Sequence, residues 1–368
     1  MAKFRIGTIP ARLQKVQGKG HAMDLGIVKQ VRITKAMEAA AGIFITLLLF
    51  CLTMINVFAA PLTGQKVWDD LFSVSFPTES EGWACGRWGT VLHSVDGGKT
   101  WARQETGTDY TLSSVSFVDA KHGWAVGDEG TIIHTSDGGK TWKKQKSPVP
   151  FFLMGVQFVT PMKGWIVTER THILNTEDGG STWKVQFKED DFIFKAVSFC
   201  DDLNGWVVGE YGLIYHTKDG GKTWIKQAGS LTISDSTGKI EGGDQLFGVV
   251  AINPEVAWAV GIDGKVVRTT DRGKTWKNVS VPVPKNPLFC IAASRAGTIM
   301  IGGKRTFIWS ADGGITWKVP DFIPAITYGW LYGLTHHGES GFVAVGWGGA
   351  IYRNDDSKML TSWQKVEY

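Results

Sequence analysis

The sequence predicts an all-β fold, a seven-bladed β-propeller, preceded by one N-terminal apolar helix that spans a membrane or serves as a signal peptide. Three observations predict it. A short stretch ending in tryptophan recurs with its Trp at 101, 142, 183, 224, 276, 317 and 363, a basic period of 41 residues. Fixed periods of roughly 40 residues mark repeat architectures, and each repeat here holds four short strand-like runs, the content of a propeller blade. Ahead of the repeats, residues 39–60 form one uncharged apolar run.

In chain order, residues 1–38 carry eight Lys or Arg against Asp24 and Glu38, a net charge of +6, while the whole chain is only +4. Everything after this segment therefore sums to −2. The basic balance belongs to the tail, which removes most of the support for nucleic-acid binding. The run from Ala39 to Ala60, AAAGIFITLLLFCLTMINVFAA, is 22 residues long, enough for a helix to cross a bilayer. Because the cationic flank precedes it, residues 1–38 are expected to stay cytoplasmic and the remainder to be exported. The run is retained as a signal anchor or cleaved near Ala59, where Val57 and Ala59 make a weak small-residue site. Residues 65–368 then form the propeller.

The clearest copy of the repeated stretch is Thr135-Ser136-Asp137-Gly138-Gly139-Lys140-Thr141-Trp142. Asp followed by Gly-Gly between β-prone runs is a tight-turn signal, because the carboxylate can accept from backbone N–H groups while the glycines take φ > 0. The Thr hydroxyl closes the turn, and the Trp starts the next strand with a large apolar body. The turn Asp is structural and no catalytic candidate.

In the second repeat the four strands are expected at Leu112–Val118, Gly123–Gly127, Gly130–His134 and Thr141–Gln145. Counting first strands from Leu71 to Leu331 gives seven blades. A Gly-Trp pair opens the second strand at Trp83, Trp124, Trp165 and Trp206, with Trp258 following Ala, and these read as core between blades. His93, His134 and His216 share one third-strand position. In a ring they point to three separate places, so neither metal nor other cofactor is expected. Cys85, Cys200 and Cys290 fall at unrelated repeat positions and read as isolated thiols.

The Asp-turn with its Thr-Trp ending resembles the Asp-box, or bacterial neuraminidase repeat. The whole unit has a V-x-F first strand, G-W-x-V-G second strand, G-x-I-x-H-T third strand and D-G-G-K-T-W turn. It resembles the photosystem II stability and assembly factor family over 68–368. That resemblance implies a non-enzymatic exported scaffold, a monomer, that binds a membrane-protein client, a newly made reaction-centre subunit of photosystem II.

A partner surface is expected on the face opposite the Asp-turns, where the connections between second and third strands stop repeating. They read Arg87-Trp88, Asp128-Glu129, Glu169-Arg170, Glu210-Tyr211, Ile262-Asp263, Lys304-Arg305 and Trp347-Gly348. Binding residues concentrate on loops held by rigid scaffolds, and Arg and aromatic residues are common anchors. The candidates are Arg87, Trp88, Arg170, Tyr211, Arg305 and Trp347, with an insertion at 228–245 emerging on the same side. Two other readings stand beside this one. A sialidase-like glycoside hydrolase would need a Tyr nucleophile or a carboxylate pair. Glu169, Glu210 and Tyr211 offer the types without a marking spacing, and the only approximation to the N-terminal sialidase signature, Phe4-Arg5-Ile6-Gly7, precedes the apolar run. A periplasmic accessory protein of a transporter or envelope complex in a non-photosynthetic bacterium would share the binding mode and differ in client.

Overall fold

The computed structural model describes residues 67–189, 192–233, 240–294, 296–323, 329–337, 341–354 and 362–367. The basic segment, the apolar run at 39–60 and the centre of the seventh turn lie outside them. Among the described residues no helix is long and apolar enough to cross a membrane.

The chain winds into seven sheets, each from a contiguous stretch. Blade 1 is β1 (Leu71–Ser75), β2 (Gly82–Gly86), β3 (Val91–Ser94) and β4 (Ala102–Gln104). Blade 2 is β5 (Leu112–Phe117), β6 (Gly123–Gly127), β7 (Ile132–Thr135) and β8 (Lys143–Gln145). Blade 3 is β9 (Leu153–Phe158), β10 (Gly164–Thr168), β11 (His172–Thr176) and β12 (Lys184–Lys188). Blade 4 is β13 (Phe194–Phe199), β14 (Gly205–Gly209), β15 (Ile214–Thr217) and β16 (Ile225–Ala228). The insertion then forms a small hairpin, β17 (Leu231–Ile233) with β18 (Ile240–Gly242), around residues that lie outside the description. Blade 5 is β19 (Leu246–Ala251), β20 (Ala257–Gly261), β21 (Val266–Thr269) and β22 (Lys277–Asn278).

The last two blades depart from four strands each. Blade 6 pairs only β23 (Leu288–Ala293), β24 (Ile299–Gly303) and β25 (Thr306–Ser310), with one further bridge from Trp309 to Lys318. The chain that would complete it runs on instead as β26 (Asp321–Ile323). This strand lies parallel to the outermost strand of blade 7, which becomes five-stranded: β26, then β30 (Ser362–Lys365), β29 (Ile351–Asn354), β28 (Gly341–Gly346) and β27 (Leu331–His337). No strand shared between blades 1 and 7 closes the ring among the described residues. Apolar packing does so, with Val67, Leu71 and Val74 of blade 1 in one core cluster with Val343, Val345 and Ile351 of blade 7.

Blade-to-blade packing explains the repeat. Second strands are buried along their whole length, so they read as continuous apolar runs rather than alternating ones. In blades 1 to 4 the opening glycine lies beneath a phenylalanine; a Cβ on Gly123 would stand 2.2 Å from the ring of Phe117. The tryptophan beside it is sandwiched. Trp124 stacks on Phe158 of the next blade at 3.5 Å and 7°, with His134 of its own blade at 4.7 Å. Trp83 repeats this between Phe117 and His93, and Trp206 keeps the histidine, His216. The three equivalent histidines thus cover three separate tryptophans, and burial pushes the His216 imidazole down to about 4.

The Asp-turns form as the residues require. The Thr135 hydroxyl donates to Asp137 at 2.8 Å and accepts from the Gly139 N–H at 2.8 Å. Asp137 also accepts from the Thr141 N–H at 2.9 Å and the Thr141 hydroxyl at 2.7 Å. These donors, Thr141 first, hold the Asp137 carboxyl down at about 2. Gly138 and Gly139 take φ of 74° and 81°, a region that costs an L side chain. The turn also receives the preceding blade, since the Gly138 carbonyl accepts from the Trp83 indole at 3.3 Å and the Gln104 amide at 2.9 Å.

Candidate functional site

The candidate site is the mouth of the central channel on the face opposite the Asp-turns. Seven first strands line the channel, a space of about 610 Å³. Their inward edges have no sheet neighbour, and side chains of the preceding blade satisfy several of the resulting N–H groups. Ser73 accepts from Val115, Ser114 from Val156 and Ser198 from Ala251, at 3.0 to 3.2 Å. The channel wall is therefore committed to holding blades together, and variation is left to the mouth.

Every first strand carries the same irregularity. A buried Leu or Phe at its first residue pairs with the end of the second strand, and the register then slips by one. The extra residue is a β-bulge, a device that re-aims a side chain. The bulge explains the glycine at the end of most second strands: a Cβ on Gly127 would meet the Thr111 carbonyl oxygen at 1.8 Å. The seven bulged residues are Phe72, Ser113, Met154, Lys195, Phe247, Phe289 and Tyr332, and all line one cavity of about 410 Å³ at the mouth.

Their order around the ring is not random. Blades 5, 6, 7 and 1 contribute Phe247, Phe289, Tyr332 and Phe72, an unbroken aromatic arc with neighbouring centroids 5.4, 5.7 and 5.3 Å apart. Blades 2 to 4 contribute Ser113, Met154 and Lys195. Burial lowers the pKa of Lys195, opposed by the carboxylates of Glu210 and Glu169. Across the mouth, burial and then Asp70 push the Tyr332 phenol up to about 12, with Arg87 acting in the other direction. The mouth thus joins a desolvated cation to an apolar aromatic wall, a combination that receives a segment carrying apolar side chains and an acceptor or negative charge.

The turns between second and third strands surround this mouth and are rigid. In all seven, the N–H of the first turn residue donates to the carbonyl just before its own blade's first strand, at 2.9 to 3.1 Å. In blades 1, 2, 4, 5, 6 and 7 the second residue is left-handed; Trp88, Tyr211 and Arg305 have φ of 55°, 56° and 52°. In blade 3 the left-handed residue is instead Thr171, one position after Arg170.

The six candidate residues divide into two groups. Arg87 donates to Asp70 at 3.0 Å and lies over Phe72, and the other Asp70 oxygen accepts from the Gly348 N–H at 2.8 Å. Asp70 thereby joins Arg87 and Trp88 to Trp347 across the seam between blades 1 and 7, and Arg305 follows on blade 6. Arg170 lies on the other side of the ring, 4.9 Å over Phe151. Tyr211 packs edge-on to Phe192 at 5.6 Å, half-buried against Gly242 of the inserted hairpin. The bulged residues escaped the sequence reading, which looked for variability only in turns. The signal was present one residue after the first-strand Leu or Phe, where Phe, Ser, Met, Lys, Phe, Phe and Tyr follow one another.

The fold and the mouth together define a seven-bladed β-propeller with Asp-turns on one face and an unequal ring of side chains at the other. The family model described as the photosynthesis system II assembly factor YCF48 matches residues 104–151 and 142–278. Among solved structures, YCF48 from Cyanidioschyzon merolae superposes with a TM-score of 0.65 at 20% identity, over 79% of this chain and 97% of that one. A YCF48 bound to D1 peptide gives 0.64 and 20%, over 79% and 95%. The GH74 xyloglucanase of Xanthomonas campestris gives 0.64 at 12% identity, over 83% of this chain and 55% of the enzyme, a likeness of fold alone. No curated protein matches the sequence. Over residues 104–278 the chain is thus similar to the photosystem II stability and assembly factor family.

Proposed function

We propose that the chain is a non-enzymatic assembly factor that receives a photosystem II reaction-centre subunit, as an extended segment of a membrane-protein client, at the channel mouth on the exported side of a membrane. The observation that carries this reading is the bulged ring, in which identical backbone positions display an aromatic arc facing Lys195. A relative in the family has been solved with a D1 peptide, and a client segment of that kind suits the chemistry of this mouth. Arg170 and Arg305 on the rim extend the surface.

The carboxylates around the mouth argue for a binding role over hydrolysis. Glu169 accepts from the Phe152 N–H and Glu210 from the Ile193 N–H, each at 3.2 Å, while Asp70 serves Arg87 and Gly348. Groups that cap backbone in this way are poorly placed to act as a general acid and base pair.

The test is a crosslinking pull-down from native photosynthetic membranes with the full chain, comparing wild type with Phe289→Ala and Lys195→Met. Loss of an aromatic anchor worth ~1.4 kcal/mol or more lowers capture of a reaction-centre subunit about tenfold. Equal capture by all three proteins, with unchanged melting temperatures, would remove the mouth from the binding surface. Capture of a different membrane complex keeps the scaffold and replaces the client, and turnover of a glycan substrate would overturn the non-enzymatic reading.

A further inference from the structure

Five aromatic residues are exposed among the described residues: Trp68 at 71%, Trp88 at 63%, Tyr110 at 48%, Trp330 at 41% and Trp347 at 56%. Residues of this size scattered singly would need no explanation. These are not scattered. By topology all five lie on the face opposite the Asp-turns, in the sector from the start of blade 2 back through blade 1 to blade 7. Hydrogen bonds run through the patch without a break across the seam. The Gly89 N–H donates to the Tyr110 carbonyl at 2.9 Å, Arg87 and the Gly348 N–H share Asp70, and the Trp347 N–H donates to the Trp330 carbonyl at 2.9 Å. The exposed apolar residues of the other face, such as Met162, Leu203 and Ile315, are aliphatic and belong to separate blades.

The composition is that of a particular solvent boundary. Trp and Tyr, without exposed Phe, are the residues that settle where a bilayer meets water, their rings toward the acyl chains and their polar atoms toward headgroups. Basic side chains flank them: Lys304 sits 5.7 Å over the Trp330 ring, Arg305 is exposed beside it, and Arg103 is half exposed next to Asp69. The chain before the patch says what covers it. The uncharged run ends at Ala60, and only residues 61–67 separate it from Trp68. Fully extended, seven residues span at most about 25 Å, so an anchor at 39–60 would keep Trp68 within that reach of a bilayer.

We propose that the aromatic patch of blades 1 and 7 docks on the lipid surface of a bilayer, which turns the channel-mouth face of the propeller toward the membrane. This surface borders the client's mouth, Trp330 stacking on Phe289 at 5.6 Å, and adds a lipid contact to it. It uses Trp68, Trp88, Tyr110, Trp330 and Trp347 as interfacial wedges.

All 17 tryptophans of the chain lie after residue 67, so lipid-borne quenchers report on the propeller and not on the apolar run. The full chain is reconstituted into phosphatidylcholine–phosphatidylglycerol vesicles, with and without bromine on the upper acyl chain, and flotation establishes association. Wild-type emission is expected to fall in the brominated vesicles, bounded by the four exposed emitters. In Trp88→Ser/Trp347→Ser, whose circular dichroism stays native because both side chains are exposed, most of that fall is expected to disappear while flotation persists. Equal emission of wild type in the two vesicle types overturns the proposal, as does equal quenching of the variant. A photo-crosslinker at position 88 that captures a protein instead of lipid in native membranes overturns it too, and assigns the patch to a partner. Failure of the chain to float removes the anchor on which the geometry depends and overturns it as well.

Discussion

Trp124→Ala tests the sandwich that joins blade 2 to blade 3. The indole is fully buried, with Phe158 stacked on one side and His134 on the other. A buried tryptophan removes about 150–250 Å² from water, which at ~25 cal/mol per Å² corresponds to ~4–6 kcal/mol. Both walls of the slot belong to hydrogen-bonded sheets and cannot collapse into the space, so the cost should resemble other Trp truncations, ~3–5 kcal/mol. The lost indole N–H adds little, since its acceptor Gly179 keeps the Gln145 amide at 2.8 Å. Urea unfolding followed by circular dichroism measures the loss. A double-mutant cycle with Phe158→Leu then isolates the contact between blades, for which ~0.5–1.5 kcal/mol is expected from the stacked geometry. A cost below ~1 kcal/mol for Trp124→Ala, typical of surface positions, would refute the claim that these sandwiches hold the ring. A coupling energy indistinguishable from zero would refute the cross-blade assignment specifically.

Two further outcomes follow from titration and thiol chemistry. The Asp137 and Asp271 carboxyls are held down at about 2 by their Thr donors, Thr141 and Thr275 first. A depressed carboxyl contributes stability that is complete above its unfolded pKa near 4 and is lost as pH falls toward 2. Asp137→Asn should therefore lower the melting temperature at pH 7, with the difference from wild type shrinking between pH 4 and 2; a constant difference down to pH 2 would deny the carboxylate its role. Burial pushes the Cys85 thiol well above its usual range and Cys290 up to about 12, while half-buried Cys200 is raised to about 11. Peptide mass mapping after N-ethylmaleimide at pH 7.5 should find Cys85 and Cys290 unmodified until urea unfolds the chain; rapid native labelling of either would contradict the packing described here.

The features legible in the sequence are those that the packing repeats. Thr135, Asp137, Gly139 and Thr141 announce their turn because each makes a local hydrogen bond that no distant residue has to supply. Trp124 and its equivalents announce the core because both faces of the second strand are buried in every blade. The bulged ring was harder to read, since a bulge is set by pairing with the second strand while its side chain varies from blade to blade. Phe72, Lys195 and Phe289 share a backbone position and nothing else. The packing of Tyr211 against Gly242 was not legible either, because nothing in the insertion at 228–245 announces the hairpin Leu231–Ile233 with Ile240–Gly242. Blade 6 was assigned four strands on the strength of its neighbours. The tail of that blade finds a parallel partner instead, and parallel pairing across blades leaves no periodic trace.

That parallel strand has a consequence for how the molecule is finished. Blades 1 to 5 are each complete when their own stretch of chain has been made, and can set as they arrive. β26 at 321–323 cannot, because its partner β30 at 362–365 is made about forty residues later and has first to fold back across blade 7. The junction of blades 6 and 7 is thus a latch thrown by a late strand. A chain cut between them would present a half-made blade and an unpaired edge, the feature that proteases and aggregating neighbours find first. Blade 7 in this way stays open on one edge until residues 362–365 have been made.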